Sequence, residues 1–455
     1  MSQARRSFLL QWPLLSSRGP KGRPQQSNSL RERLLTALTE IEAIDTHEHI
    51  IPESDRVSQP VDFFTLASHY VINDVVSAGL PDEGLRLVNN LEARLNERWT
   101  AFEPFWNYAR FTGYAQALRI AIRDIYGFEK ISAETLPKIN EAIRAQNKPG
   151  LYQRILRDRA RIRFSVVDDY WNALPVKPDP AFFVLAHKFD RFVTPATPVQ
   201  VQRLEEMTGV SISTLSGLKQ AAEKNFRQCL DAGMVTVKTT LAYDRDLHFR
   251  EVEESDAARD FESMMRSERL PAQGFRSRMV RPFRDLEDHL FHHVVRLAEA
   301  HAIPMQIHTG LHAGNGNVVT NSNPTLLTNL FFLYPRARFD LFHISYPYQG
   351  ELSVQAKLFP NVYADFCWAH IVSPSASRGA LHEYLETVPV NKLLGFGGDY
   401  RYPELSYAHA RMARSNIAQV LAEKTETGFC SEEEALQIGR MLLHDNPARL
   451  FSPRT

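Results

Sequence analysis

From residue 286 to residue 399 one pattern recurs four times: a helical stripe of apolar residues, a breaker, then a short apolar run. Leu286, Leu290, Val294 and Leu297 mark the first helix, which stops before Pro304, and Met305–His308 follows as a strand. Asn323-Pro324 reads as an N-cap and first turn, opening a helix with Leu327, Leu330 and Tyr334 inward, before the strand Phe339–His343. Leu352, Ala356 and Phe359 precede the strand Val362–Phe366; Ala380, Leu381, Tyr384, Leu385 and Val388 precede the run Lys392–Asp399. Such alternation requires parallel strands joined by right-handed helical crossovers. Ile41–Ile44, Ile162–Val167, Phe182–Ala186 and Met234–Thr239 bring the count to eight, which points to an α/β chain closing into a (β/α)8 TIM-like barrel.

Residues 60–160 break the rhythm. They read as almost wholly helical, with turn signals at Gly79-Leu80-Pro81, Gly113, Gly127 and Pro149-Gly150. That is too long for an ordinary crossover, so a large helical insertion after the first strand is expected. The first 30 residues carry Arg5, Arg6, Arg18, Lys21 and Arg23 and no acid. They read as a disordered tail or a targeting signal, with residues 31–455 forming one barrel domain that includes the insertion. The formal charge is zero, with 53 basic and 53 acidic residues, so the body is −5 against a tail of +5. This balance argues against a nucleic-acid partner. The longest apolar run, Ala181–Ala186, is far too short to span a bilayer. Cys229, Cys367 and Cys430 form no disulfide framework, which fits a reducing, cytoplasmic setting; export or organellar import is the alternative if the tail is a signal.

Polar residues collect at one end of these strands: His47 and His49 after the first, His308, His343 and Asp399 after the fifth, sixth and eighth. In a parallel barrel those ends share one face, where active sites form. Two imidazoles two residues apart on a strand project the same way and suit a Zn, Mn, Ni or Fe ion. Gly397-Gly398 before Asp399 allow close backbone approach. Glu48 points away and is read as structural. Asp168-Asp169, Asp365, Trp171, Phe366 and Trp368 lie near strand ends as weaker candidates, and His292-His293 is read as a surface pair on a helix.

The run Asp45-Thr46-His47-Glu48-His49, with the motifs around Ile307-His308-Thr309-Gly310, Phe342-His343-Ile344-Ser345-Tyr346 and Gly397-Gly398-Asp399-Tyr400, resembles the amidohydrolase superfamily over roughly residues 41–452. The motifs closely resemble its amidohydrolase-related branch, which holds hydrolases, metal-dependent decarboxylases and barrels fused to a glutamine-synthetase-like domain. The resemblance implies a distorted (β/α)8 barrel with His47, His49, His308 and Asp399 as metal ligands. It further implies Asp399 as proton-transfer residue and His343 as the group that polarises a carbonyl. Lys238 stands where binuclear relatives carry a carboxylated lysine. One divalent ion, zinc first, is expected in preference to two, with Lys238, Arg245 and Arg401 holding an anionic group on a small-molecule substrate. Asp399-Tyr400-Arg401 also resembles the Asp-x-Arg of uronate isomerases, which share a helical insertion after the first strand. The leading expectation is hydrolysis of an amide, ester or lactone. Non-oxidative decarboxylation or uronate isomerisation is the alternative, and a non-catalytic barrel the third. A homo-oligomer is left open.

Overall fold

A computed structural model describes residues 29–168, 175–267 and 281–452. It contains eight strands: β1 (Ala43–Glu48), β2 (Ile162–Asp168), β3 (Phe183–Lys188), β4 (Met234–Thr239), β5 (Met305–Ile307), β6 (Phe339–Leu341), β7 (Val362–Asp365) and β8 (Leu393–Leu394). They pair in sequence order, and every pair is parallel. The sheet's two ends meet: Phe396 O accepts from Thr46 N (3.1 Å), His47 O from Asp399 N (2.8 Å) and Tyr400 O from His49 N (2.9 Å). The structure is the eight-stranded barrel that the sequence pattern calls for. Several strands shift at their edges, β3 among them, which runs two residues further to Lys188. β1 extends to Glu48, and β8 shortens because the glycine-rich segment after Leu394 leaves regular pairing.

The helices sit where their apolar stripes demand. Leu286, Leu290 and Val294 of the helix Arg284–Ala300 are buried against the barrel. Ser431 and Glu434 form the capping box that opens the helix Glu432–Arg440, and Ser29 caps the helix Leu30–Glu40 in the same way. His292 and His293 correct the sequence reading. Both are buried, His292 between the Tyr334 hydroxyl (2.8 Å) and Phe249 O (3.2 Å), and His293 facing Glu223 (3.5 Å). Their helix is apolar around more than half its girth, so two polar rings are carried inward with it.

The expected insertion runs from Glu53 to Arg159 as a series of short and medium helices. Phe63, Phe64, Trp99, Phe102 and Trp106 give it an aromatic core of edge-to-face and stacked rings. A second aromatic group fastens it over the C-terminal ends of the strands. Tyr70 and Tyr114 stack on each other (5.1 Å) and lie against Trp368 (4.9 and 5.9 Å). The buried Arg56–Glu404 pair (2.6 Å), joined by the Tyr126 hydroxyl (2.8 Å), is a second anchor. Among the described residues no helix is long and apolar enough to cross a membrane. Asp169 and Trp171 lie outside the described residues, as does nearly all of the basic tail.

Candidate functional site

The strand ends bring His47, His49 and Asp399 together. His49 Nε2 lies 3.1 Å and His47 Nε2 3.9 Å from the same carboxylate oxygen, Asp399 Oδ1. The backbone is shaped for this meeting. Asp399 adopts φ +59°, an uncommon conformation for a residue with a side chain. It is held there by its N–H on His47 O (2.8 Å) and by the Tyr70 hydroxyl on its own carbonyl (2.6 Å). The preceding Gly398 has no room for a side chain, since a Cβ would fall 1.8 Å from Glu48 Oε1. Glu48 itself accepts from Tyr400 N (2.6 Å), so it locks the loop and faces away from the cavity.

His308 and His343 form a second group. His343 follows β6 in a left-handed stretch (His343, Ile344 and Ser345 at φ +65°, +48° and +50°), which swings its ring inward. Its Nδ1 donates to Cys367 O (2.9 Å), and its Nε2 faces His308 Nδ1 (3.1 Å). His308 Nε2 donates to Leu311 O (2.8 Å). Carbonyls only accept, so both outer nitrogens carry protons. The two inner nitrogens would then face each other as lone pairs if both rings were neutral. Burial pushes both imidazoles towards neutrality, His343 down to about 3 and His308 well below its usual value, the latter with help from His343, His312 and Lys238. The pair therefore has room for one shared cation, a proton or a ligated ion.

The cavity above these groups measures about 280 Å³ and is lined by His49, His69, Lys188, Lys238, His308 and Asp399, with Tyr70, Thr240, Tyr243 and Ala313 completing its wall. Lys238 sits opposite Lys188 in the β3–β4 register. Its Nζ lies 3.5 Å over the Phe342 ring, and it forms no ion pair among the described residues. Burial lowers its pKa to about 8, against the pull of Asp399, Cys367 and Asp168. Burial also depresses Lys188, but its 2.9 Å pair with Asp168 outweighs this and raises it. Burial pushes the Asp399 carboxyl up; the His49 hydrogen bond and the charges of His49, His47 and His343 overcome this and hold it well below the usual carboxylate range.

The donor set fits a metal ion. His47 Nε2 is buried without a hydrogen-bond partner among the described residues, and His47, His49 and Asp168 offer ligand atoms within 4.8 Å of one another. A second such group is His343, Cys367 and Asp399. Two imidazoles with carboxylates suit a borderline divalent cation.

Of the three predicted anion-binding cations, Lys238 faces the cavity. Arg401 is not part of the cavity wall but touches it through the backbone: its main-chain N–H donates to the lining residue His69 (Nδ1, 3.2 Å), and its side-chain Nε is buried with no hydrogen-bond partner among the described residues. Arg245 is a correction. It is buried between Glu287 (3.0 Å) and Asp288 (2.5 Å), away from the cavity wall, and two carboxylates already consume its charge. Trp368 packs against the His343 ring (5.0 Å), Phe366 stacks on His370, and Asp365 lies inside the barrel. Sequence reasoning missed Lys188, His69 and Tyr243. Ending β3 two residues early hid Lys188, which the strand-end rule would otherwise have flagged. His69 comes from the insertion, where no periodicity marks a site.

Fold and site together define a (β/α)8 barrel with a candidate histidine–carboxylate metal centre at the C-terminal ends of its strands. Residues 255–452, somewhat under half of the chain, match the amidohydrolase family model. Protein fluG of Emericella nidulans is 29% identical over 251 residues, 53% of this chain and 29% of that protein, so the match spans under a third of that relative's length. Uronate isomerase from Thermotoga maritima superposes with a TM-score of 0.74 at 19% identity, covering 93% of this chain and 97% of that one. Glucuronate isomerase from Caulobacter crescentus does so with 0.73 at 18% identity, covering 94% and 95%. At these identities the likeness is one of fold.

Proposed function

We propose that the protein is a metal-dependent hydrolase acting on an amide, ester or lactone bond of a small carboxylated substrate. The observation that carries this reading is the convergence of His47, His49 and Asp399 at a cavity walled by Lys188 and Lys238. His47, His49 and Asp399 would hold one divalent ion, zinc first, with Asp168 in reach and His308 nearby. A zinc-like ion supplies Lewis acidity, bringing the pKa of water from ~16 towards ~7 and polarising a carbonyl.

The chain's own residues do the rest. Asp399, ionised in its histidine cluster, accepts the proton of the attacking water and returns it to the leaving group. A proton shared between the inner nitrogens of His308 and His343 would supply the positive charge that stabilises the developing charge on the carbonyl oxygen. Lys238 and Arg401 hold the substrate carboxylate, with Lys188 adding to the positive field. His69 stays neutral, because burial lowers its pKa to about 3, and its Nδ1 already accepts from Arg401. Its Nε2–H is thus left as a neutral donor on the cavity wall. Replacing Asp399 by Asn in metal-loaded protein tests the proton-transfer role; full hydrolytic activity in that variant would refute it.

A second reading is uronate isomerisation. It is supported by the Arg401–His69 contact, which joins the segment after β8 to the insertion, and by folds shared with two uronate isomerases. Product analysis separates the readings: aldose–ketose interconversion of a uronate marks the second, and CO2 release marks a decarboxylase.

A further inference from the structure

We propose that Gln306 is the positioning residue that fixes the tautomer of His47 for metal binding. This rests on the reading that His47, His49 and Asp399 hold a divalent ion. Gln306 lies in β5, fully buried. Its Nε2 donates to Thr46 O (2.8 Å) and to Asp340 Oδ2 (3.2 Å). A backbone carbonyl can only accept, so Thr46 O alone assigns the amide nitrogen to that side, whatever the protonation of Asp340. The amide oxygen is therefore the atom turned to His47 Nδ1, at 3.3 Å. An oxygen there requires the proton of a neutral His47 to sit on Nδ1. The lone pair is then on Nε2, the buried nitrogen that has no hydrogen-bond partner among the described residues and looks towards Asp399.

The barrel itself sets up the relay. Gln306 pairs in register with Lys238 on one side and Asp340 on the other, at the level just below the site. Its side chain crosses the interior to β1 and grips both the backbone of Thr46 and the ring of His47. Without the acceptor the ring is free to carry its proton on Nε2, where a metal would have to displace it. Partners of this kind are worth roughly 10- to 100-fold in metal affinity.

Zinc affinity, measured by competition with a chromophoric chelator on the metal-free full chain at pH 7, tests the proposal. Gln306→Met, similar in volume but lacking the acceptor, is expected to bind zinc ten- to a hundredfold more weakly than wild type. Gln306→Glu keeps an oxygen towards His47 and, protonated, a donor towards Thr46; it is expected to stay within about threefold. A Met variant within threefold of wild type, or a Glu variant as weak as the Met variant, overturns the role of Gln306. Neutron diffraction on metal-free wild type needs no variant to fold: a hydrogen on His47 Nδ1 supports the proposal and one on Nε2 overturns it. Wild type that takes up no zinc overturns the metal reading itself, whereas wild type that binds beside an indifferent Met variant overturns only the positioning role.

Discussion

Asp399 carries two demands at one carboxylate, contact with both histidines and an oxygen free to take a proton. Asp399→Asn keeps the shape and removes the base. Turnover is expected to fall by about 10²–10⁴-fold, with metal content measured on the same sample to separate ligation from proton transfer. Lys238 and Arg245 looked alike in sequence and have opposite fates. Lys238→Met is expected to raise KM for a carboxylated substrate by roughly 10- to 100-fold, the worth of a charge-assisted hydrogen bond, with a smaller change in kcat. Arg245→Gln is expected to leave KM alone and lower stability by about 2 kcal/mol, read by denaturant unfolding, because it removes the fully buried cation shared by Glu287 and Asp288, which keep Arg281 and Arg250 at the edge of the cluster. A KM effect from Arg245 equal to that of Lys238 would reverse this assignment. The difference was invisible in sequence because the acids that neutralise Arg245 lie more than forty positions away, on another element.

At the scale of elements, the link between β1 and the segment after β8 decides whether the site forms. Gly397 and Gly398 lie where a side chain would strike Thr46, Cys367 and Glu48. Gly398→Ala is expected to destabilise the fold by about 1–3 kcal/mol and to weaken metal binding, since relieving the clash moves Asp399 away from His47 and His49. Unchanged melting and zinc affinity would show that the loop has slack. The His, Asp and Gly positions here were legible in sequence because strand ends in a parallel barrel share one face, so order along the chain translates into convergence in space. The left-handed turn at His343 to Ser345 was not legible, for none of its three residues is glycine and tertiary contacts impose the conformation. The contributions of His69, Tyr70 and Tyr114 were hidden for a related reason: helical stripes report which face is buried and say nothing of what lies opposite.

Across the whole molecule, the alternation of stripes and breakers gave the last four strands in order, because each crossover must bury a helix on the same sheet, and apolar runs earlier in the chain supplied the first four. The insertion's position was legible as an overlong gap; its docking by aromatic stacking was not. Burial of histidines also leaves a mark on stability. His370, buried between Gly395 O and the Asn416 amide, has its pKa lowered to about 4 by desolvation. The folded protein then resists a proton that the unfolded chain accepts below ~6.5, so the stability tied to neutral His370 is present above that pH and is lost as pH falls towards 4. His370→Gln is expected to be less stable than wild type at pH 7.5, with the gap narrowing by about 2 kcal/mol at pH 5 in urea unfolding. A gap that widens on acidification would contradict the neutral assignment.

The central claim concerns the reaction, and product mass spectrometry in oxygen-labelled water tests it most directly. The metal-loaded full chain is offered amides, esters and lactones that bear a carboxylate, with uronates alongside. The account predicts one labelled oxygen per turnover in the acid product, abolished by chelation and by Asp399→Asn. Interconversion of a uronate with its keto-sugar, or release of CO2, with no label incorporated from any substrate, would contradict it.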